Sequence, residues 1–207
     1  MTYEDWIHYA GASVEALSRT ANGVNDPSLS HDKPGLSIES GPALRAQAAA
    51  NIRRAVDFAW HSRDSVRGAR ELCAFIETLA AQLNEGLVPA DRPLLRTWHT
   101  KYSGPVAPED VPAAFGAFCV KHATSLVHDW SIAEAIFMAA EIERDFNYHV
   151  HPLADGCGRV SRILGALVLL RVGSRPARFE DRTEYYALMR ASSEAWHEAY
   201  ERQLLRA

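Results

Sequence analysis

Only one stretch of this chain, Leu95 to Val106 (LRTWHTKYSGPV), has strand character, while the other apolar segments repeat at helical spacing. Without strands to form a sheet, the core has to be buried between helices. Thr2 is placed to cap a first helix over Tyr3 to Arg19, which Asn22-Gly23 stops. Ala43 to Trp60 and Ala69 to Leu83 carry Ala, Leu, Ile and Phe on one face, the second ending at Asn84-Glu85-Gly86. Pro108-Glu109-Asp110 opens another helix, with proline in the first turn and carboxylates at the positive end of the dipole. Ser131-Ile132-Ala133-Glu134 is a capping-box pattern, followed by Ile132, Ala135, Ile136, Ala139, Ile142 and Phe146 on one face of a buried helix reaching about Tyr148. Val160 to Leu170 is apolar nearly all round, as for a central helix, and Asp181 to Gln203 reads as a last amphipathic helix with a D-x-x-E start. Phe58, Trp60, Trp196 and Tyr200 fall at helical spacing and are assigned to the core. The expected fold is all-α, about seven helices, with Leu95–Val106 as a short β-hairpin flap.

The Ser-, Pro-, Gly- and Asp-rich stretch Asn25 to Gly41 reads as a linker, which divides the chain into an N-terminal helix and linker (1–42) and a main domain (43–207). The 207 residues are 47% hydrophobic and 23% charged, the balance of an ordinary globular protein. Twenty-two Lys and Arg against 26 Asp and Glu give a net charge of −4, so nucleic acid is not expected as the main partner. Cys73, Cys119 and Cys157 are odd in number, spread out and without a CxxC pair, which fits a reducing cytoplasm. The longest apolar run, Ile163 to Leu170, is far short of the roughly 20 residues of a membrane span, and the acidic N-terminus lacks the apolar region of a secretion signal.

The segment His149-Val150-His151-Pro152-Leu153-Ala154-Asp155-Gly156-Cys157-Gly158-Arg159-Val160-Ser161-Arg162 lies between the buried helix and the central one. Pro152 disfavours helix at His151, and Gly156 and Gly158 permit turns closed to other residues, so a loop feeds a helix N-terminus near Gly158 or Arg159. Such a terminus presents unpaired N–H groups and a partial positive charge to an anion. Arg159 and Arg162, three apart, share one side of the first turn, where the macrodipole disfavours cations by about 0.3–1 kcal/mol each. A di- or triphosphate would satisfy both arginines and the N–H groups together. Asp155 can hold a Mg²⁺ that bridges phosphate oxygens, and His151 can be the base that activates a hydroxyl. These are the parts of a phosphoryl or nucleotidyl transferase. A plainer reading has Asp155 capping the helix, the arginines paired with Glu141 or Glu143, and His151 as a satisfied loop residue. His149 and His151 as a metal pair lack a clear third ligand, and neither a Walker pattern nor a strand-borne GxG is present.

The run HPLADGCGRVSR resembles the signature of the Fic family, HxFx(D/E)GN(G/K)RxxR, at its His, Asp, both Gly and both Arg positions. Arg182-Thr183-Glu184-Tyr185-Tyr186-Ala187-Leu188 is similar to that family's R-x-x-Y-Y-x-A-L helix, and the resemblance spans roughly residues 43 to 205. It implies a Fic-like helical core that transfers AMP from Mg-ATP to a Ser, Thr or Tyr hydroxyl of a target protein. On that resemblance His151 is the base and Asp155 the Mg²⁺ ligand. Gly156 and Gly158 are part of the anion hole, Cys157 stands at the nucleotide-binding position between them, and Arg159 and Arg162 clamp the β- and γ-phosphates. Tyr185 and Tyr186 are candidates for the nucleobase pocket. The flap residues Arg96, Thr97, Trp98, His99, Thr100, Lys101 and Tyr102 would align the target segment by strand addition. An oligomer is left open.

Two positions depart from the signature. Leu153 in place of Phe keeps an apolar anchor. Cys157 in place of Asn replaces an amide by a weak donor, a change worth ~1–3 kcal/mol if that bond matters. It leaves open another phosphate-containing donor, a small-molecule acceptor, or a nucleotide-binding module without turnover. Gly35-Leu36-Ser37-Ile38-Glu39-Ser40 is similar to the family's inhibitory motif (S/T)xxxE(G/N), which implies that Glu39 pairs with Arg162 and blocks the γ-phosphate position.

Overall fold

The computed structural model describes residues 1–21, 42–89, 91–100 and 106–205. Among them are eight α-helices: α1 (Tyr3–Ala21), α2 (Pro42–Ser62), α3 (Ala69–Asn84), α4 (Val111–Lys121), α5 (Ile132–Arg144), α6 (Cys157–Arg171), α7 (Arg182–Arg190) and α8 (Ser193–Leu205). None is long and apolar enough to cross a membrane. The linker, Glu39, Lys101 and Tyr102 lie outside the described residues.

α6 is the centre of the fold. Val160 and every residue from Ile163 to Leu169 are buried, because α5 packs along it most extensively and α1, α2 and α3 close around the rest. α1 joins the same core through Trp6, Ala10, Val14 and Leu17, and its start is held by reciprocal bonds between Thr2 and Asp5. The capping box of α5 is present, Ser131 Oγ accepting from Glu134 N–H and Glu134 Oε2 from Ser131 N–H. Ala135, Ala139, Ile142 and Phe146 are buried as expected, but Ile132 is 63% exposed, since the first turn of α5 projects past its neighbours.

Two expectations are corrected. The buried helix does not run uniformly to Tyr148, because its α-turns end at Arg144 and a π-turn spans Asp145–Val150. The expected last helix is two helices. Arg144 donates to the carbonyls of Met189 and Ala191, Ala191 is extended, and Ser192 Oγ caps a new start by accepting from Ala195 N–H. The middle of the expected flap, 101–105, lies outside the described residues; among those described, Leu95 makes an antiparallel bridge with Leu153. The buried guanidinium of Arg96 takes the carbonyls of Trp98 and Val106 on either side.

Candidate active site

The π-turn delivers His151. A π-turn widens the helix by one residue per turn, and such bulges often occur at functional sites. His151 then adopts a left-handed conformation (φ 44°, ψ 58°), with its N–H bonded to Phe146 O at 2.9 Å. Its ring Nδ1 lies 2.7 Å from the carbonyl oxygen of Asn147. A carbonyl can only accept, so Nδ1 carries the proton and Nε2 carries the lone pair. That is the tautomer a base needs.

The strand-like piece Leu94–Arg96 holds the loop that follows, through Arg96 N–H to Pro152 O and Ala154 N–H to Leu94 O. Leu153, buried, anchors it. Gly156 turns the chain into α6 at φ 89°, and a Cβ there would lie 3.3 Å from Asn84 Oδ1, so glycine is required by conformation and by space. Cys157 is the first residue of α6 and is buried; its thiol accepts from Leu153 N–H at 3.3 Å and faces Leu153 O at 3.5 Å. The thiol thus clasps the loop from inside.

The two arginines do different things. Arg159 donates to Leu83 O at 3.0 Å, to Asn84 Oδ1 at 2.9 Å and to Asp155 Oδ2 at 3.1 Å, while Asn84 Nδ2 donates to Asp155 O. It braces the loop against the end of α3. Arg162 is buried and poorly satisfied: Nη2 makes one long contact, 3.5 Å, to Val14 O of α1, and Nε has no partner. Its guanidinium lies 5.6 Å from the Tyr185 ring centroid, and Glu143 supplies opposing charge. Burial pushes the Glu143 carboxyl up, against the pull of Arg162 and of the Tyr185 and Tyr200 hydroxyls that donate to it. The plainer pairing of an arginine with Glu143 is thus half realised, and Arg159 has taken Asp155.

A Cβ on Gly158 would lie 3.5 Å from Arg162 Nη1, Asn147 Nδ2 and Tyr186 Oη. That spot lies beside the N-terminus of the fifteen-residue α6; Asn147 Nδ2 there donates to Tyr185 Oη and Met189 Sδ, and Arg162 brings a cation whose Nε has no partner. Tyr186 borders that spot, but Tyr185 does not line an open pocket. It is fully buried, stacked edge-on with Phe179 and Trp196, and bonded to Glu143.

His151, Asp155, Gly156, Gly158, Arg159, Arg162 and Tyr186 are thus gathered around one loop and helix start. Arg96 is not a surface flap residue, being 2% exposed, whereas Thr97 and His99 are exposed and Trp98 and Thr100 partly so. Among the described residues no three His, Cys, Asp or Glu side chains converge on a metal position. Asn84 and Asn147 are the site residues that the sequence does not single out as such. Asn84 reads there only as a helix stop, and the signal for Asn147 is its place four residues before His151.

No family model matches the chain. Over 89 residues, 40% of this chain, it is 35% identical to the protein adenylyltransferase Fic of Nematostella vectensis, of which that match covers only 19%. Solved structures share the fold over nearly the whole chain. A Fic domain containing signaling protein from Bacteroides thetaiotaomicron superposes with a TM-score of 0.67 at 13% identity, covering 100% of this chain and 88% of that one. Fic-1 from C. elegans gives 0.65 at 21% identity over 99% of this chain and 62% of that one. IbpAFic2 in complex with adenylylated Cdc42 gives 0.58 at 16% identity, with 95% and 63% covered.

Proposed function

We propose that this chain, whose fold is that of the Fic proteins, is a nucleotidyltransferase that moves AMP from Mg-ATP to a hydroxyl of a target protein. The observation that carries the reading is the fixed tautomer of His151, set at the head of a loop that ends in the start of α6. His151 Nε2 takes the hydroxyl proton as the oxygen attacks the α-phosphorus. The bond to the β-bridging oxygen breaks, and pyrophosphate leaves. The α6 N-terminus, Arg162, Asn147 and Tyr186 hold phosphate oxygens and disperse their charge. Arg159 keeps Asp155 and the loop in place and is a brace more than a clamp. Asp155 would hold Mg²⁺, which offsets phosphate charge when bound. A single carboxylate suits an ion that keeps waters and substrate oxygens as its other ligands.

The N-terminal unit, 1–42, is read as regulatory and 43–207 as the transferase. α1 already lies over Arg162 through Val14 O, which supports control of that arginine by the segment holding Glu39. The reading places the protein in the cytoplasm, in keeping with three cysteines that form no disulfide among the described residues.

Intact mass after incubation with Mg-ATP tests this, using the native chain, Glu39→Gly and a Glu39→Gly/His151→Ala pair. An AMP adduct in Glu39→Gly that is absent from the pair is expected. An adduct from a different nucleotide donor alone would replace ATP in the scheme. ATP-dependent thermal protection with no transfer to any offered protein would reduce the chain to a binding module.

A further inference from the structure

We propose that Arg96 is a positioning residue that holds His151, Trp98 and Val106 as one unit. The idea rests on the reading of His151 as the base, but its geometry stands apart from the choice of nucleotide. Arg96 is 2% exposed, and its partners among the described residues are four main-chain carbonyl oxygens. Nε donates to His151 O at 2.6 Å, and Nη2 reaches Val150 O at 3.4 Å. Nη1 donates to Trp98 O at 2.9 Å, and Nη2 to Val106 O at 2.8 Å.

A buried cation whose hydrogen bonds among the described residues all go to carbonyl dipoles is costly to build, so its retention points to geometry as its use. One planar guanidinium bridges two segments far apart in sequence, an arrangement that a lysine's point-like ammonium does not reproduce. One segment is the end of the π-turn. The carbonyl of His151 sits on a residue in the left-handed region, where a non-glycine side chain is uncommon and strain is stored. Fixing that carbonyl fixes the peptide plane from which the imidazole hangs. The other partners are the main-chain carbonyls of Trp98 and Val106, so the same guanidinium that fixes His151 also fixes those two residues.

The test compares the native chain with Arg96→Lys and Arg96→Ala, each checked for folding by circular dichroism. Ring ¹⁵N shifts of His151 and amide exchange at His151 and Ala154 come first, because they are read without nucleotide. The expected result is one Nδ1–H tautomer in the native protein, averaged ring nitrogens and faster exchange in Arg96→Lys, and recovery of Arg96→Ala by added guanidinium. The AMP-transfer rate should fall about 10- to 100-fold in Arg96→Lys, as small misplacements of a base do. ATP affinity should stay within about twofold, since phosphate contacts are untouched. A folded Arg96→Lys with native His151 ring shifts and exchange overturns the proposal. If no chain transfers AMP, the reaction assignment has failed and the spectroscopic arm decides the role of Arg96 alone.

Discussion

The ring of His151 donates from Nδ1 to the main-chain oxygen of Asn147 at 2.7 Å, a bond made inside the same turn that ends the buried helix. Because the acceptor is main chain, no side-chain substitution at position 147 removes it, and the tautomer is set by the backbone of the π-turn. His151→Ala should therefore abolish general-base catalysis, a loss of about 10²- to 10⁴-fold in transfer rate. Nucleotide binding should persist, because the proposed phosphate donors lie on α6, Asn147 and Tyr186. Single-turnover transfer alongside ATP titration checks both halves. A His151→Ala protein that transfers at the native rate removes the base from the scheme.

Arg159 and Arg162, three residues apart in one helical turn, should separate in their effects. Arg159→Lys loses the fork that reaches Leu83 O, Asn84 Oδ1 and Asp155 Oδ2 together, which should cost about 1–3 kcal/mol of stability. For a chain of this size that is a Tm drop of roughly 2–4 °C per kcal/mol. Arg162→Lys keeps the charge opposite Glu143 but loses guanidinium donors, and should weaken nucleotide binding by about 1.5–3 kcal/mol. Thermal melts and nucleotide titrations on both variants decide it, and equal effects on both quantities would erase the distinction.

How much of this was legible from the residues depended on whether a signal was local. Helix starts were legible because a cap is written within four residues, as at Thr2, Ser131 and Asp181. The loop and its glycines were legible because Gly156 meets a conformational demand of its own. The split of the last helix was not, since Arg144, over forty residues away, takes the carbonyls that end α7. Nor was the division of labour between the arginines, which depends on Asn84 and Val14 arriving from α3 and α1. Nor was the burial of Arg96, for the same reason. A cation among Thr, Trp and His looks exposed until the chain folds over it, and its four partners come from three separate places along the chain.

Cys157 tests whether the departure from the family's asparagine is a loss of function or a change of support. Its thiol grips the Leu153 backbone on both sides, so what matters is a small polar group able to do the same. Cys157→Ser should retain transfer within a few fold, whereas Cys157→Ala leaves the Leu153 N–H buried and unpaired at about 1–3 kcal/mol. Comparing melts and transfer rates across the two variants is sufficient. A serine variant as impaired as the alanine one would show that sulfur itself is needed, and would return Cys157 to the chemistry.

Acid stability should carry the signature of Asp145, which heads the π-turn leading to His151. Burial alone would push its carboxyl up, but hydrogen bonds from His122 and Lys121, together with the Lys121 charge, outweigh burial and bring it down to about 2. A carboxyl depressed in the folded state stabilises above its unfolded value near 4. That contribution is lost as pH falls through the folded value, so the window lies between about pH 4 and pH 2. A shift of this size on a largely buried group corresponds to about 2 kcal/mol. Asp145→Asn should therefore be less stable at neutral pH by about that amount and should lose less stability on acidification across the window. Urea unfolding of both proteins at a series of pH values measures it. Parallel curves, with the same slope below pH 4, would mean that the aspartate bonds are not what holds the turn, and that the geometry of His151 is supported from the Arg96 side alone.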